Sequence, residues 1–210
     1  MRFPTLAVLA LASLASTAAA QVQAMNNTDT GRKNSICILF EPGGEHNFNP
    51  KGAVAINYSQ PDWKDEYTKA LDSGKFNNSN QRLGKNWWTS FDTTMALEIG
   101  GTKIAPGAYF LGLHIDEAGK PQLMFIDAAA ANKSGWAPFM ATPWKAEFTA
   151  PLTLAKNSLK ETVSQMEITI TADQKNPSTG KFSIKWGKHE LSADVKFQIE
   201  NAKDASAPKK

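Results

Sequence analysis

The stretch "KFSIKWGKHELSADVKFQI", Lys181–Ile199, constrains the fold more than any other part of the chain. Phe182, Ile184 and Trp186 alternate with polar residues, and so do Leu191, Ala193, Val195, Phe197 and Ile199. A period of two is the signature of a strand with one buried face. Gly187-Lys188 lies between the two runs and suits a two-residue hairpin with glycine at its first central position. That turn pairs Trp186 with His189 and Ile184 with Leu191. The apolar faces of both strands then coincide, as hairpin register requires.

The same period recurs along the chain. Met95, Leu97 and Ile99 share a face in "TTMALEI", and Tyr109, Leu111, Leu113 and Ile115 share one in "GAYFLGLHID". Phe148, Ala150, Leu152 and Leu154 align in "EFTAPLTLAK", as do Met166, Ile168 and Ile170 in "MEITITA". Further strands are expected at Ser35–Phe40, Ala53–Tyr58 and Gln122–Asp127, with turns at "DEAGK" and "NPSTG". Eight or nine strands joined by short turns predict an all-β fold, an antiparallel β-sandwich of jelly-roll-like form. One short helix is expected at Pro61–Leu71. Pro61 falls in its first turn, Trp63, Tyr67, Ala70 and Leu71 on one face, and Gly74 at its end.

The ends read differently. Residues 1–20 have the pattern of a signal peptide: Met1-Arg2, an apolar run from Leu6 to Leu14, then Ala18-Ala19-Ala20. Cleavage after Ala20 or Ala24 fits. The run is too short to span a bilayer, and no later segment is long and apolar enough, so the mature chain is expected to be exported and soluble, periplasmic or extracellular. Residues 21–33 read as a polar, disordered lead-in, 34–199 as a single domain, and 200–210 as a disordered tail. Cys37 is the one cysteine, so no intrachain disulfide can form. Its apolar surroundings suit a buried thiol. The net charge is only +3, with Lys and Arg scattered, which argues against a nucleic-acid footprint.

Two tryptophans stand side by side in "GKNWWTSFDTT". Extending the face of Met95, Leu97 and Ile99 backwards places Phe91, Thr89 and Trp87 in the core. Trp88 then faces outward onto a groove or lines a second layer. The turn-like Gly84-Lys85-Asn86 could reset this phase.

"AINYSQPDWK", a Trp near Trp88, "GGTKIAPGAYFLGLHID" and "GKFSIKWGKHELSADVKF" occur in that order. Together they resemble the exported bacterial domain-of-unknown-function family 2911. Ile56, Tyr58, Ser59, Pro61, Gly107, Tyr109, Trp186 and Gly187 match that family's motif positions, and the resemblance covers Ala53 to Ile199. It implies an exported β-sandwich and supplies no catalytic residues. Members commonly carry an Arg and an Asn-Glu pair after the Trp, where this chain has "TSFDTT".

The residues offer three chemistries. His46, in the Gly-rich "EPGGEHNF", together with His114 and Asp116 could hold a divalent metal for a small metal-assisted hydrolase. No H-x-H or H-E-x-x-H spacing supports it, and His189 reads as a stacking or capping residue. No nucleophile elbow, phosphate loop or singled-out carboxylate pair points to another enzyme. The segment "NKSGWAPFMATPWK" gathers Trp136, Phe139, Met140 and Trp144, which could stack on a carbohydrate or a small amphipathic ligand, or cap the sandwich. The reading is therefore a non-catalytic ligand-binding or structural module, without a cofactor. Its expected groove combines Trp88, His114 and Asp116 with the Trp136–Trp144 loop at the rim. A strand-edge protein-interaction module is the third reading.

Overall fold

The computed structural model describes residues 31–42, 49–140 and 144–199. Predicted features at residues 1–30, at His46 and at 200–210 lie outside them. Among the described residues thirteen strands and two short helices follow one another. They begin with β1 (Arg32–Glu41), β2 (Asn49–Ser59), α1 (Glu66–Asp72), β3 (Ser79–Arg82) and β4 (Thr89–Thr93). Next come β5 (Leu97–Ile99), β6 (Thr102–Ile104), β7 (Gly107–Ile115), β8 (Pro121–Asp127) and α2 (Ala128–Lys133). The chain closes with β9 (Phe148–Pro151), β10 (Thr153–Ala155), β11 (Val163–Ala172), β12 (Thr179–Gly187) and β13 (His189–Phe197).

The strands form two antiparallel sheets. One has the order β1-β2-β4-β7-β8-β9, with β3 also on β7; the other has β11-β12-β13-β5-β6, with β10 also on β13. The closing hairpin takes the expected register, Trp186 opposite His189 and Ile184 opposite Leu191. Gly187 supplies the left-handed φ of 63° at the turn.

The all-β sandwich is as predicted, but it has more strands than eight or nine because two predicted strands change sheets and two short strands, β3 and β6, are added. The run from Thr89 to Ile99 pairs with β2 and β7 as β4, then with β13 as β5. The run from Phe148 to Ala155 pairs with β8 as β9, then with β13 as β10. At the first corner the Thr93 hydroxyl donates to the Met95 carbonyl over 2.6 Å. At the second, buried Leu152 donates its N–H to Pro121. These crossings tie the two sheets together along one side.

Phe91, Phe125, Tyr109 and Phe148 from the first sheet meet Ile168, Phe182, Ile184 and Val195 from the second in the shared core. The Phe91 and Phe125 rings meet edge to face at 5.3 Å, a favoured aromatic geometry. Cys37 is buried here, and desolvation pushes its thiol pKa up.

β1 begins at Arg32, inside the segment expected to be a disordered lead-in. The Arg32 guanidinium accounts for this: it donates to the Asn57 and Trp88 carbonyls, each over 2.9 Å. The predicted helix starts later than Pro61. Residues 61–63 run extended beside β11, with Trp63 N–H donating to Ser164 and Met166 N–H to Pro61. That ladder removes the first turn, and α1 is left with Glu66–Asp72. Gly74 still marks the exit, with φ 70°.

The outer face of the first sheet carries a second apolar cluster. Trp88, Met124, Ile126, Ala131 and Trp144 are buried there, with Phe110 and Trp136 packed against them. The Asp127 carboxylate caps α2 by accepting the Ala130 N–H over 2.6 Å. It thereby directs the chain back over the sheet.

Candidate functional site

The paired tryptophans are arranged opposite to the first expectation for Trp87. Asn86 has φ 62°, and Trp87 N–H closes a tight turn onto Lys85. The strand begins only at Thr89, so the alternation does not reach back to Trp87, which is 54% exposed. Trp88 is 2% exposed. It lines the second layer, stacked on Phe110 at 4.8 Å and tilted against Trp144 at 5.0 Å. Trp144 is buried, and its indole N–H donates to Ala137. Trp136 is half-buried against the same cluster. These three rings make contacts with the protein itself, and Trp88 faces no groove.

His114 and Asp116 are not part of that cluster. His114 shares a 2.9 Å hydrogen bond with Asn80 across β3 and β7. Asp116 lies beyond the end of β7, and its carboxylate accepts the Lys120 N–H over 2.8 Å inside the predicted turn. Among the described residues no three His, Cys, Asp or Glu side chains come together as a metal site. The metal reading needs His46, which lies outside them.

The structure places a different cavity between the sheets, at the end carrying the Gly187-Lys188 turn. Its volume is about 370 Å³, near the low end of the roughly 300–1,000 Å³ usual for ligand pockets. Leu113 and Ile115 line it from the first sheet, and Met166, Ile184, Trp186 and Leu191 from the second. Trp63, Tyr67, Leu71 and Phe76 close it on the side of α1.

Its aromatic wall is built from distant parts of the chain. Trp63 meets Trp186 edge-on at 5.2 Å and Tyr67 edge-on at 5.7 Å. The Trp186 indole N–H donates to the Pro61 carbonyl over 3.0 Å. Gly187 lies directly beneath the Trp63 ring, where an added Cβ would come within 2.5 Å of two ring atoms. Pro61, Trp186 and Gly187 are three of the positions that carried the family resemblance, and here they meet at one cavity wall.

Residues 45–195 match the family described as a protein of unknown function, DUF2911. The chain belongs to that family. No curated protein and no solved structure matches it. The match of this DUF2911 chain takes in strands of both sheets, though not β1, and every residue named in the cavity lining.

His189 is the cavity's buried titratable group, 7% exposed and tilted against Trp63 at 5.4 Å. Burial pushes its pKa below the ordinary 6.5; Asp72 opposes this and Lys156 adds to it. The two modifiers are themselves paired at 3.0 Å. The sign follows from proton counting. Between the folded pKa and 6.5 the unfolded chain binds more protons, so stability rises with pH. The contribution is complete above 6.5 and is lost as pH falls toward the folded value. Melting temperatures of wild type and His189→Gln between pH 8 and pH 5 check it. The wild type should lose more on acidification; parallel curves would remove His189 from the account.

The sequence reading placed Trp63 and Tyr67 on a helix face and His189 as a stacking partner, but did not join them. No local signal could: Pro61 and Trp186 are 125 residues apart.

Proposed function

We propose that this DUF2911 chain is an exported, non-catalytic binding module that holds a small, largely apolar ligand between its sheets at the Trp63–Trp186 end. The observation that carries the reading is the cavity itself. It is an apolar space of about 370 Å³ with an aromatic wall and few polar groups. Concave apolar sites with sparse polar groups are the usual form of a small-molecule site. Among the described residues no helix is long and apolar enough to cross a membrane, which is compatible with release after signal cleavage.

The strand-edge reading has less in its favour. Ile36, Ile38 and Phe40 are exposed on β1, at the edge of the first sheet. That edge already touches β11, where the Ser35 hydroxyl accepts the Ile170 N–H over 3.0 Å. Less of the edge is left open for an added strand.

The test uses protein recovered from the cell envelope or medium, its N-terminus read by mass spectrometry at Gln21 or Met25. It is titrated with the uncharged fluorophore N-phenyl-1-naphthylamine. The dye should bind with a blue-shifted, enhanced emission, and a hundredfold excess over Kd should stabilise the fold by about 2.7 kcal/mol. Leu113→Trp, which fills the cavity, should abolish binding, whereas Trp136→Ala, on the outer cluster, should leave it intact. Dye binding that survives Leu113→Trp but not Trp136→Ala would move the site to the outer face.

A further inference from the structure

The cavity's polar groups say what class of ligand it takes; this inference rests on the binding reading above. Among the described residues the side chains that line the space are aromatic or aliphatic, apart from Gln81, Arg82, His189 and the hydroxyl of Tyr67. Arg82 does not direct its charge inward. It pairs with Gly112 on β7, whose neighbours two residues away, Phe110 and His114, lie on the outer face of the sheet. Side chains alternate along a strand, so Arg82 points outward while Gln81, opposite Leu113, points in. Among the described residues no carboxylate lines the cavity. A charged ligand would therefore be desolvated there without a counter-charge, which is strongly unfavourable.

His189 supplies the directional contact. Its Nδ1 accepts the Asn157 N–H over 3.3 Å. That bond places the ring proton on Nε2 and makes Nε2 a donor. Among the described residues no hydrogen bond reaches Nε2, and it is not sealed off: Trp88 Nε1 is the buried side-chain atom left without a partner there. The Trp63 ring leans over the imidazole at 5.4 Å, which leaves the donor beside the aromatic wall. A donor left open on a cavity-lining ring is free to meet a ligand's acceptor.

We infer that the ligand is an uncharged, largely apolar molecule carrying one neutral acceptor, such as a ketone, aldehyde, ester or ether oxygen. Its apolar body lies against Trp63 and Trp186, and its oxygen accepts from His189 Nε2.

Three probes of one shape separate the possibilities: naphthalene, 2-acetylnaphthalene and 2-naphthoate. Each is titrated at pH 8 into the full-length mature protein and followed by tryptophan emission. The ketone should bind about three- to tenfold more tightly than naphthalene, the range expected for one net hydrogen bond. The carboxylate should bind at least tenfold more weakly than the ketone. His189→Phe should erase the ketone's advantage over naphthalene, read as the ratio of the two affinities, while His189→Gln, which keeps a donor, should restore part of that ratio. Imidazole nitrogen NMR on the wild type needs no variant: the ketone should shift the Nε2 resonance and naphthalene should not. Equal binding of ketone and naphthalene, with no Nε2 shift, would overturn the His189 contact while leaving the cavity as a site. Tightest binding by the carboxylate would overturn the uncharged class. Failure of all three probes would remove the binding reading itself.

Discussion

Trp88→Ala should destabilise the fold by about 3–5 kcal/mol, the range for removing a large buried aromatic, while Trp88→Phe should cost less than about 1.5 kcal/mol. Trp88 is sealed between Phe110 and Trp144, on the outer face of the first sheet. Alanine would leave a void that neither ring can fill without moving α2 and the segment behind it. Phenylalanine keeps most of the stacking on Phe110, whose plane lies within 2° of the Trp88 ring. It also removes the indole N–H, which is buried without a hydrogen-bond partner among the described residues. An unsatisfied buried donor costs about 1–3 kcal/mol, so its loss offsets part of the lost volume. Urea unfolding of the three proteins measures both differences. Hydrogen exchange in Trp88→Ala should quicken first around α2, because that helix is held by this cluster. Both variants remove the orphaned N–H, so equal costs would mean that the ring phenylalanine keeps on Phe110 contributes nothing.

The same residue shows what the sequence could reveal. Strand alternation placed Trp88 on the face opposite Phe91, and that is where it lies. It could not place Trp87, because the phase depends on one backbone angle, the left-handed Asn86, just before the strand. Asparagine tolerates that angle without requiring it. The closing hairpin was readable to the register, since turn chemistry and apolar period agreed at adjacent residues. Sheet membership was not. Phe148, Ala150, Leu152 and Leu154 face one core throughout, yet the first two lie in one sheet and Leu154 in the other. Alternation records which face is buried, and a strand turning a corner keeps its buried face. The short polar strand β3, "SNQR", has no apolar period at all and exists through pairing with β7.

The cavity was less legible still. Trp63 follows Pro61 and precedes Tyr67 at helical spacing, so local rules favour a helix there. The backbone hydrogen bond to Ser164 overrides them, and it comes from a strand a hundred residues on. The Trp136–Trp144 segment stood out instead by density of aromatics, and two of its rings, Trp136 and Trp144, pack on the outer face of a sheet, while Phe139 stays exposed. Aromatic crowding in a sequence reports burial at least as readily as recognition.

Gly187→Ala should be the most damaging single methyl group in the cavity region, destabilising by about 2–5 kcal/mol. One part is the left-handed backbone, φ 63°, which costs an alanine about 1–2 kcal/mol. The other is steric. The new Cβ would fall 2.5 to 2.7 Å from three atoms of the Trp63 ring, and overpacking of this kind costs about 1–3 kcal/mol. The two parts separate in a double-mutant cycle with Trp63→Ala, where the ring is absent and only the backbone cost should remain. The ring must move to admit the methyl group, and its edge contacts with Trp186 and Tyr67 go with it. Dye affinity should therefore fall in Gly187→Ala even at temperatures where the protein is folded. In Gly187→Asn the backbone cost shrinks, because asparagine accepts a left-handed φ, while the Cβ clash stays. That variant should recover part of the stability and none of the affinity. Full recovery of both would assign glycine's role to the turn alone and leave Trp63 without a part in the cavity's shape.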